Sequence, residues 1–141
     1  MVKEDSKNAF GLRKFIEDVE SIGELKKVTG AHWDLEMSNI SHLICSSHPA
    51  PSPALLFDEI PDYPHGYRTM FGMTNSANRA AIAYGMEPSY TDPIKFIKDY
   101  RVRSKEIEKL ESMEPTFISP KSAPVFENKF QGEEVNLLSL P

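Results

Sequence analysis

The chain has 141 residues, 11 of them Pro and 7 Gly, with 26% charged and 40% hydrophobic side chains, the make-up of an ordinary globular domain. A chain of this length is expected to form one domain that buries roughly 68% of its unfolded surface, a core that needs no disulfide or metal staple. Lys and Arg number 16 against 21 Asp and Glu, and the resulting net charge of −5 disfavours a uniformly basic surface for nucleic acid or anionic membrane.

Met1 to Asn8 is polar and mixed in charge, without a signal-peptide or transit pattern, so a soluble, cytoplasmic protein is expected. The longest apolar run, Ala80 to Tyr84, is far short of the ~20 residues that span a bilayer. Leu12, Phe15, Ile16, Val19 and Ile22 recur at helical spacing with charges between them, and Gly23 is placed to end that helix. Glu24 to Val28 reads as a short strand closed by Thr29-Gly30. A second helix is predicted over Leu35 to Ser46, with Asp34 as its cap and Leu35, Ile40, Leu43 and Ile44 sharing a face, until Pro49, Pro51 and Pro53 stop it.

Ala54-Leu55-Leu56-Phe57 is a continuous apolar run of the kind found in strands buried on both faces. Its expected partner is Tyr67 to Met73, reached through the turn-rich segment Pro61 to Gly66. Asn75 or Ser76 can cap a helix running to Tyr84 and ended by Gly85, and another should start at Asp92-Pro93 and run to about Met113. After Pro115 the texture changes: Thr116-Phe117-Ile118 and Pro124-Val125-Phe126 read as extended. The end of the sequence, Val135 to Pro141, is mostly apolar, unlike a frayed terminus, and suggests a chain that normally continues. The expected fold class is α/β (α+β), a mixed β-sheet with three to four flanking helices and an extended C-terminal exit segment.

Candidate chemistry is sparse. No two glycines are separated by a single residue and no Gly-Lys-Ser/Thr occurs, which removes the dinucleotide fingerprint and the phosphate loop. His42, Cys45 and His48 stand three apart, and a helix would put His42 and Cys45 on one face as metal ligands. The spacing matches no standard zinc signature, however, and the plainer expectation is Cys45 in the core and the histidines at the surface. Cys45 as a nucleophile lacks any local signal for a lowered thiol pKa. As the only cysteine it forms no intrachain disulfide, which fits a reducing compartment.

The carboxylates of Glu17, Asp18 and Glu20, of Glu106, Glu108 and Glu111, and of Glu133 and Glu134 are each explained by a solvated helix face or loop. Lys95, Lys98, Arg101, Lys105 and Lys109 fall within about a third of the helical circle opposite Phe96, Tyr100, Ile107 and Leu110. That basic stripe is either a solvated face or a contact for a partner or phosphate. Arg103 projects into the apolar face, where it would want a carboxylate or a domain interface. Asn39-Ile40-Ser41 is a glycosylation triplet by accident, given the absence of a secretory signal.

Taken in order, several segments resemble the N-terminal domain of the UbiD-like decarboxylases, which use prenylated flavin mononucleotide. They are Leu12-Arg13-Lys14-Phe15-Ile16 leading to Gly23-Glu24-Leu25, then Leu35-Glu36, Pro53-Ala54-Leu55-Leu56-Phe57, Tyr63-Pro64 and Phe71-Gly72. Asn78-Arg79-Ala80-Ala81-Ile82-Ala83 closed by Gly85, Ser122-Ala123-Pro124 and Val135 to Pro141 complete the series, which covers about residues 10 to 141. Each piece alone is common; their order and spacing carry the likeness. Gly11 departs from the acidic or hydroxyl cap frequent in the family, Asp58-Glu59-Ile60 replaces a more usual Glu-Asn-Val, and the last helix is longer than in many members.

The resemblance implies a division into an N-terminal α/β domain over residues 1–114 and a segment over 115–141 leading toward a flavin-binding catalytic domain absent from this chain. It implies a non-oxidative, reversible decarboxylation of aromatic or α,β-unsaturated acids, with the developing carbanion delocalised into the cofactor. The family's acidic and arginine catalytic residues, and its ligands for a divalent metal (manganese) and potassium at the flavin phosphate, lie in that absent portion. No catalytic, cofactor or metal residue is therefore assigned to this chain. Implied partners are the catalytic portion of a decarboxylase, in the same or a separate chain, in a homo- or hetero-oligomer, and a flavin prenyltransferase as cofactor supplier. Arg103, Val135, Leu137, Leu138 and Leu140 are the expected partner or domain interface. Two rival expectations are a stand-alone interaction module using the Lys95 to Lys109 stripe, and a small metalloenzyme around His42, Cys45 and His48.

Overall fold

The computed structural model describes residues 11–47, 51–110, 114–120 and 122–141. His48, Pro49, Glu111 and Met113, used above as a ligand, a helix stop, an acid and a helix end, lie outside the described residues. Helix α1 (Leu12–Ser21) leads to strand β1 (Leu25–Thr29), then helix α2 (Glu36–Ser47) and strand β2 (Ala54–Asp58). Strand β3 (Thr69–Phe71), helix α3 (Ala77–Ala83) and helix α4 (Pro93–Ile107) follow. The sheet order is β1-β2-β3, with β1 and β2 parallel and β2 and β3 antiparallel. The result is the mixed sheet expected of an α+β domain.

Parallel pairing requires a crossover, and α2 supplies it. The register aligns Leu25 with Ala54 and Val28 with Phe57, while Leu55 faces Phe71. As the central strand, β2 is covered on both sides, which explains its unbroken apolar run: Ala54, Leu55, Leu56 and Phe57 are all buried. Leu55 and Phe57 join Ala31, Met37 and Ile60 in the core, where Phe57 meets Phe71 edge to face with ring centres 5.6 Å apart. Lysines 26 and 27 keep the exposed edge strand β1 polar, an arrangement that discourages pairing with another chain.

Two helices end in the same way. At α1 the amide of Gly23 donates to the carbonyl of Glu20 and that of Glu24 to Val19. At α3, Gly85 donates to Ile82 and Met86 to Ala81. Both glycines sit at positive φ, +73° and +66°, so both are left-handed Schellman stops. Helix α3 is capped at its start by the Ser76 hydroxyl, which accepts from the Arg79 amide at 3.0 Å, and α4 by Asp92, which accepts from the Ile94 amide at 2.9 Å.

Three expectations are corrected. Asp34 does not cap α2, because Leu35 stands in the left-handed region at φ 68° and the helix begins at Glu36. The Glu36 carboxylate instead accepts from the His32 amide at 2.6 Å. The inward face of α2 is consequently Met37, Ile40, Ser41 and Ile44, while Leu35 and Leu43 are exposed. Helix α4 ends at Ile107, short of the expected end near Met113. Pro124-Val125-Phe126 is a turn of 3-10 helix rather than extended, and similar turns occupy Gly132–Glu134 and Leu137–Ser139. A proline at the first position tolerates such a turn because its missing N–H would be unpaired there anyway.

Candidate functional site

Helix α3 is rich in alanine, so it packs closely and carries Arg79 inward, where the side chain is 0% exposed. A buried guanidinium is costly unless its charge and donors are met. The carboxylate of Glu24, the residue before β1, meets Nη1 at 3.0 Å, and the Ser52 carbonyl accepts from Nη2 at 2.8 Å. Glu24 also accepts from the Ser76 hydroxyl and, at 3.2 Å, from the Asn78 amide. Burial pushes the Arg79 pKa down, and the charge of Glu24 pushes it back. Its Nε has no hydrogen-bond partner among the described residues. This network ties the α1–β1 corner, the segment before β2 and helix α3 together.

A second cluster forms at the carboxyl ends of the two parallel strands, where loops on adjacent strands converge. The His32 ring stacks on Trp33 at 5.6 Å, Trp33 meets Tyr63 edge-on at 6.3 Å, and Tyr63 lies 6.1 Å from Tyr67. His32 Nδ1 accepts from the Asp34 amide at 3.1 Å, and Nε2 lies 3.2 Å from the Asp62 carboxylate. With Nδ1 accepting, the neutral ring carries its proton on Nε2 and donates it to Asp62. The Tyr63 phenol reaches the carbonyl oxygens of Leu138 and Leu140 at 2.9 and 3.0 Å, pulling the C-terminal segment onto this corner.

The expected interface residues are at the surface. Val135, Leu137, Leu138 and Leu140 are 52, 80, 67 and 64% exposed, and Phe117, Val125 and Phe130 on the same segment are exposed as well. Arg103 finds the carboxylate it wants in Glu106, 3.4 Å away on the next turn, and remains exposed. On α4, Lys95 pairs with Asp99 at 2.7 Å and lies over the Tyr90 ring. Lys98, Arg101, Lys105 and Lys109 are exposed.

The other candidates stay apart. Cys45 is exposed, which corrects the expectation of a core residue: it sits at the edge of the inward face of α2, with the Ser52 hydroxyl at 3.9 Å and the Asn75 amide at 3.8 Å from sulfur. His42 is exposed, and no three His, Cys, Asp or Glu gather as a metal site among the described residues. Asp18 and Glu20 pair with Lys14 and Lys27, and Glu134 closes a capping box with Gln131. Among the described residues there are open grooves at the surface. One, of about 600 Å³, runs from Arg13 and Ile16 over Leu56 to Arg68 and Met70; another, of about 640 Å³, lies between Asn75, Tyr90, Phe96 and Ile97. Neither brings together a nucleophile, a base and an orienting group.

The reading from sequence missed Arg79 and Tyr63 as organising residues. A lone arginine among alanines on a helix that must pack tightly is a signal for a buried ion pair, whereas nothing local distinguishes Tyr63 from a surface tyrosine.

The described residues form an α+β domain with a three-stranded mixed sheet. Residues 16–95 match the 3-octaprenyl-4-hydroxybenzoate carboxy-lyase N-terminal domain family, and the chain belongs to that family, UbiD_N. Among solved structures it is similar to Sedimentibacter hydroxybenzoicus vanillic acid decarboxylase in open form, with a TM-score of 0.62 and 21% identity over 84% of this chain and 24% of that one. The closed form of the same enzyme gives a TM-score of 0.57 at 21% identity, over 94% of this chain and 26% of that one. The chain therefore spans about a quarter of the length of these structures, and likeness at this identity speaks for the fold. No curated protein matches the chain in sequence. No described helix is long and apolar enough to cross a membrane.

Proposed function

We propose that this chain is the N-terminal scaffold domain or subunit of a UbiD-like, non-oxidative and reversible (de)carboxylase that acts on aromatic or α,β-unsaturated carboxylic acids with prenylated FMN. The observation that carries the reading is membership of the carboxy-lyase N-terminal family over residues 16–95. Catalytic residues, flavin and metal ligands belong to another portion of the enzyme; the donor sets among the described residues of this chain do not fit a metal site. The division into residues 1–114 and 115–141 is part of the proposal, and the mostly exposed residues 122–141 support it. Arg103, Val135, Leu137, Leu138 and Leu140 are its interface with that catalytic portion, supported by the outward-facing leucines. A reducing cytoplasm, a homo- or hetero-oligomeric enzyme and a flavin prenyltransferase as cofactor supplier complete the proposal.

The alternative is a non-catalytic interaction module, favoured by the exposed row of Lys98, Arg101, Lys105 and Lys109. Native mass spectrometry of the protein isolated from its source, with an absorbance spectrum of the same sample, separates the two. A larger assembly with flavin-like absorbance supports the decarboxylase reading, and screening with aromatic and acrylic acids follows. A colourless 15.9 kDa species, or a complex with an unrelated partner, overturns it.

A further inference from the structure

We infer that Tyr63 is a latch that holds the C-terminal segment in a docking-ready shape, with its backbone turned inward and its leucines turned out toward the catalytic portion. The inference rests on the scaffold reading above and adds the residue that organises its interface. It begins in the loop after β2. Glu59 and Asp62 both take positive φ, 50° and 70°, a conformation costly for residues with a Cβ. The fold keeps them there because Ile60 between them is buried in the core and the Tyr63 amide closes a turn on the Ile60 carbonyl at 3.2 Å. His32 and Asp62 join this loop to the one after β1, and the Trp33 ring backs Tyr63. The phenol is thereby held on a rigid corner.

The tail has its own matching order. Asn136 caps the Leu137–Ser139 turn by accepting from the Leu138 amide at 3.0 Å, and its carbonyl accepts from the Ser139 amide and hydroxyl at 3.2 and 2.7 Å. The Leu138 and Leu140 carbonyls then converge on one phenol that has one proton, a bifurcated contact. The carbonyls of Leu138 and Leu140 face the corner, and the side chains of Leu137, Leu138 and Leu140 are left exposed. A segment ordered before it binds does not lose that freedom on binding, so the latch strengthens docking without touching the partner. The occupant is the catalytic portion, since this chain spans only about a quarter of the similar decarboxylase structures. Tyr63 is thus a positioning residue for the interface.

Tyr63→Phe removes the hydroxyl and keeps the ring. Hydrogen–deuterium exchange on the chain alone should rise between about two- and ten-fold at the amides of Leu138, Ser139 and Leu140, the range for loss of one ordinary hydrogen bond. Exchange in Ala54–Asp58 should stay unchanged. Equal rates in the tail, or a rise throughout the sheet, overturn the latch. In the assembly isolated from its source, the same substitution should weaken association by a similar factor; raised tail exchange with unchanged association overturns the link to docking. Leu137→Ser with Leu138→Ser tests the scaffold reading separately: association that survives this pair removes the leucine interface, while exchange at Tyr63→Phe still reports on the latch.

Discussion

Replacing Glu24 by Gln should be among the most damaging single changes in this chain, although the substituted residue is nearly the same size. Arg79 is fully buried and has one carboxylate partner, Glu24, itself 18% exposed, with the Ser52 carbonyl as its other acceptor. Glutamine keeps one oxygen but brings two donors into a site already crowded with the donors of Arg79, Ser76 and Asn78. Leaving a buried charge without its partner costs about 3–5 kcal/mol, roughly a fifth or more of the about 5–15 kcal/mol that holds an ordinary domain together. The corresponding drop in Tm is on the order of 10–20 °C for a chain of this size. Urea unfolding followed by Trp33 fluorescence and by circular dichroism measures it, with a lowered midpoint at constant slope as the expected signature. The double variant Glu24→Gln, Arg79→Met should regain much of the loss, because an apolar replacement leaves no orphaned charge. A Glu24→Gln protein within about 1 kcal/mol of the parent would refute the reasoning, since the pair would then be contributing no more than a surface bridge.

Other consequences can be measured independently. Gly23→Ala should cost about 1–2 kcal/mol, the penalty of a Cβ in the left-handed region, with no steric contribution because an added Cβ meets nothing within 4 Å; thermal unfolding reads it, and an unchanged Tm counts against the α1 stop. The hydrogen bond from Lys95 holds the Asp99 carboxyl below the ordinary aspartate value of 3.8. Its folded pKa being the lower one, the contribution of this pair is present above about pH 3.9 and is lost as pH falls through the folded value. Carboxyl chemical shifts should show a midpoint below 3.8 that Lys95→Met moves upward; a midpoint at or above that value in the parent removes the pair. Leu137→Ser with Leu138→Ser should leave the stability of the chain within about 0.5 kcal/mol, as expected where side chains are already in water, while weakening its assembly with the catalytic portion. Lost stability would mean that the leucines pack within the chain.

How far the chain can be read without its structure varies by element. The period of α1 and its Gly23 stop, the doubly buried run at Ala54–Phe57, the Ser76 cap and the helix start at Asp92-Pro93 were all legible, because each depends on residues within one or two turns of one another. The start of α2 was not: Leu35 is pushed to positive φ while the Glu36 carboxylate turns back to the His32 amide, a local competition that helical spacing does not reveal. Cys45 looked like core and is exposed, since the part of α2 that is buried depends on how the helix crosses the sheet.

The candidate interface divides along the same line. An apolar C-terminal segment was evident from the sequence, and the order and spacing of segments along the chain resembled the carboxy-lyase N-terminal family. Sequence order by itself determined most of the helices and strands and the Ser76 cap, because these rest on short-range hydrogen bonding and on periodicity; the family was legible as a resemblance in the order and spacing of segments. Only the tertiary structure decided that Arg79 reaches Glu24 across 55 positions and that Tyr63 reaches Leu138 across 75. Contacts between distant positions leave no local period, and they form only once the packing of β2 has fixed which loops meet at its two ends.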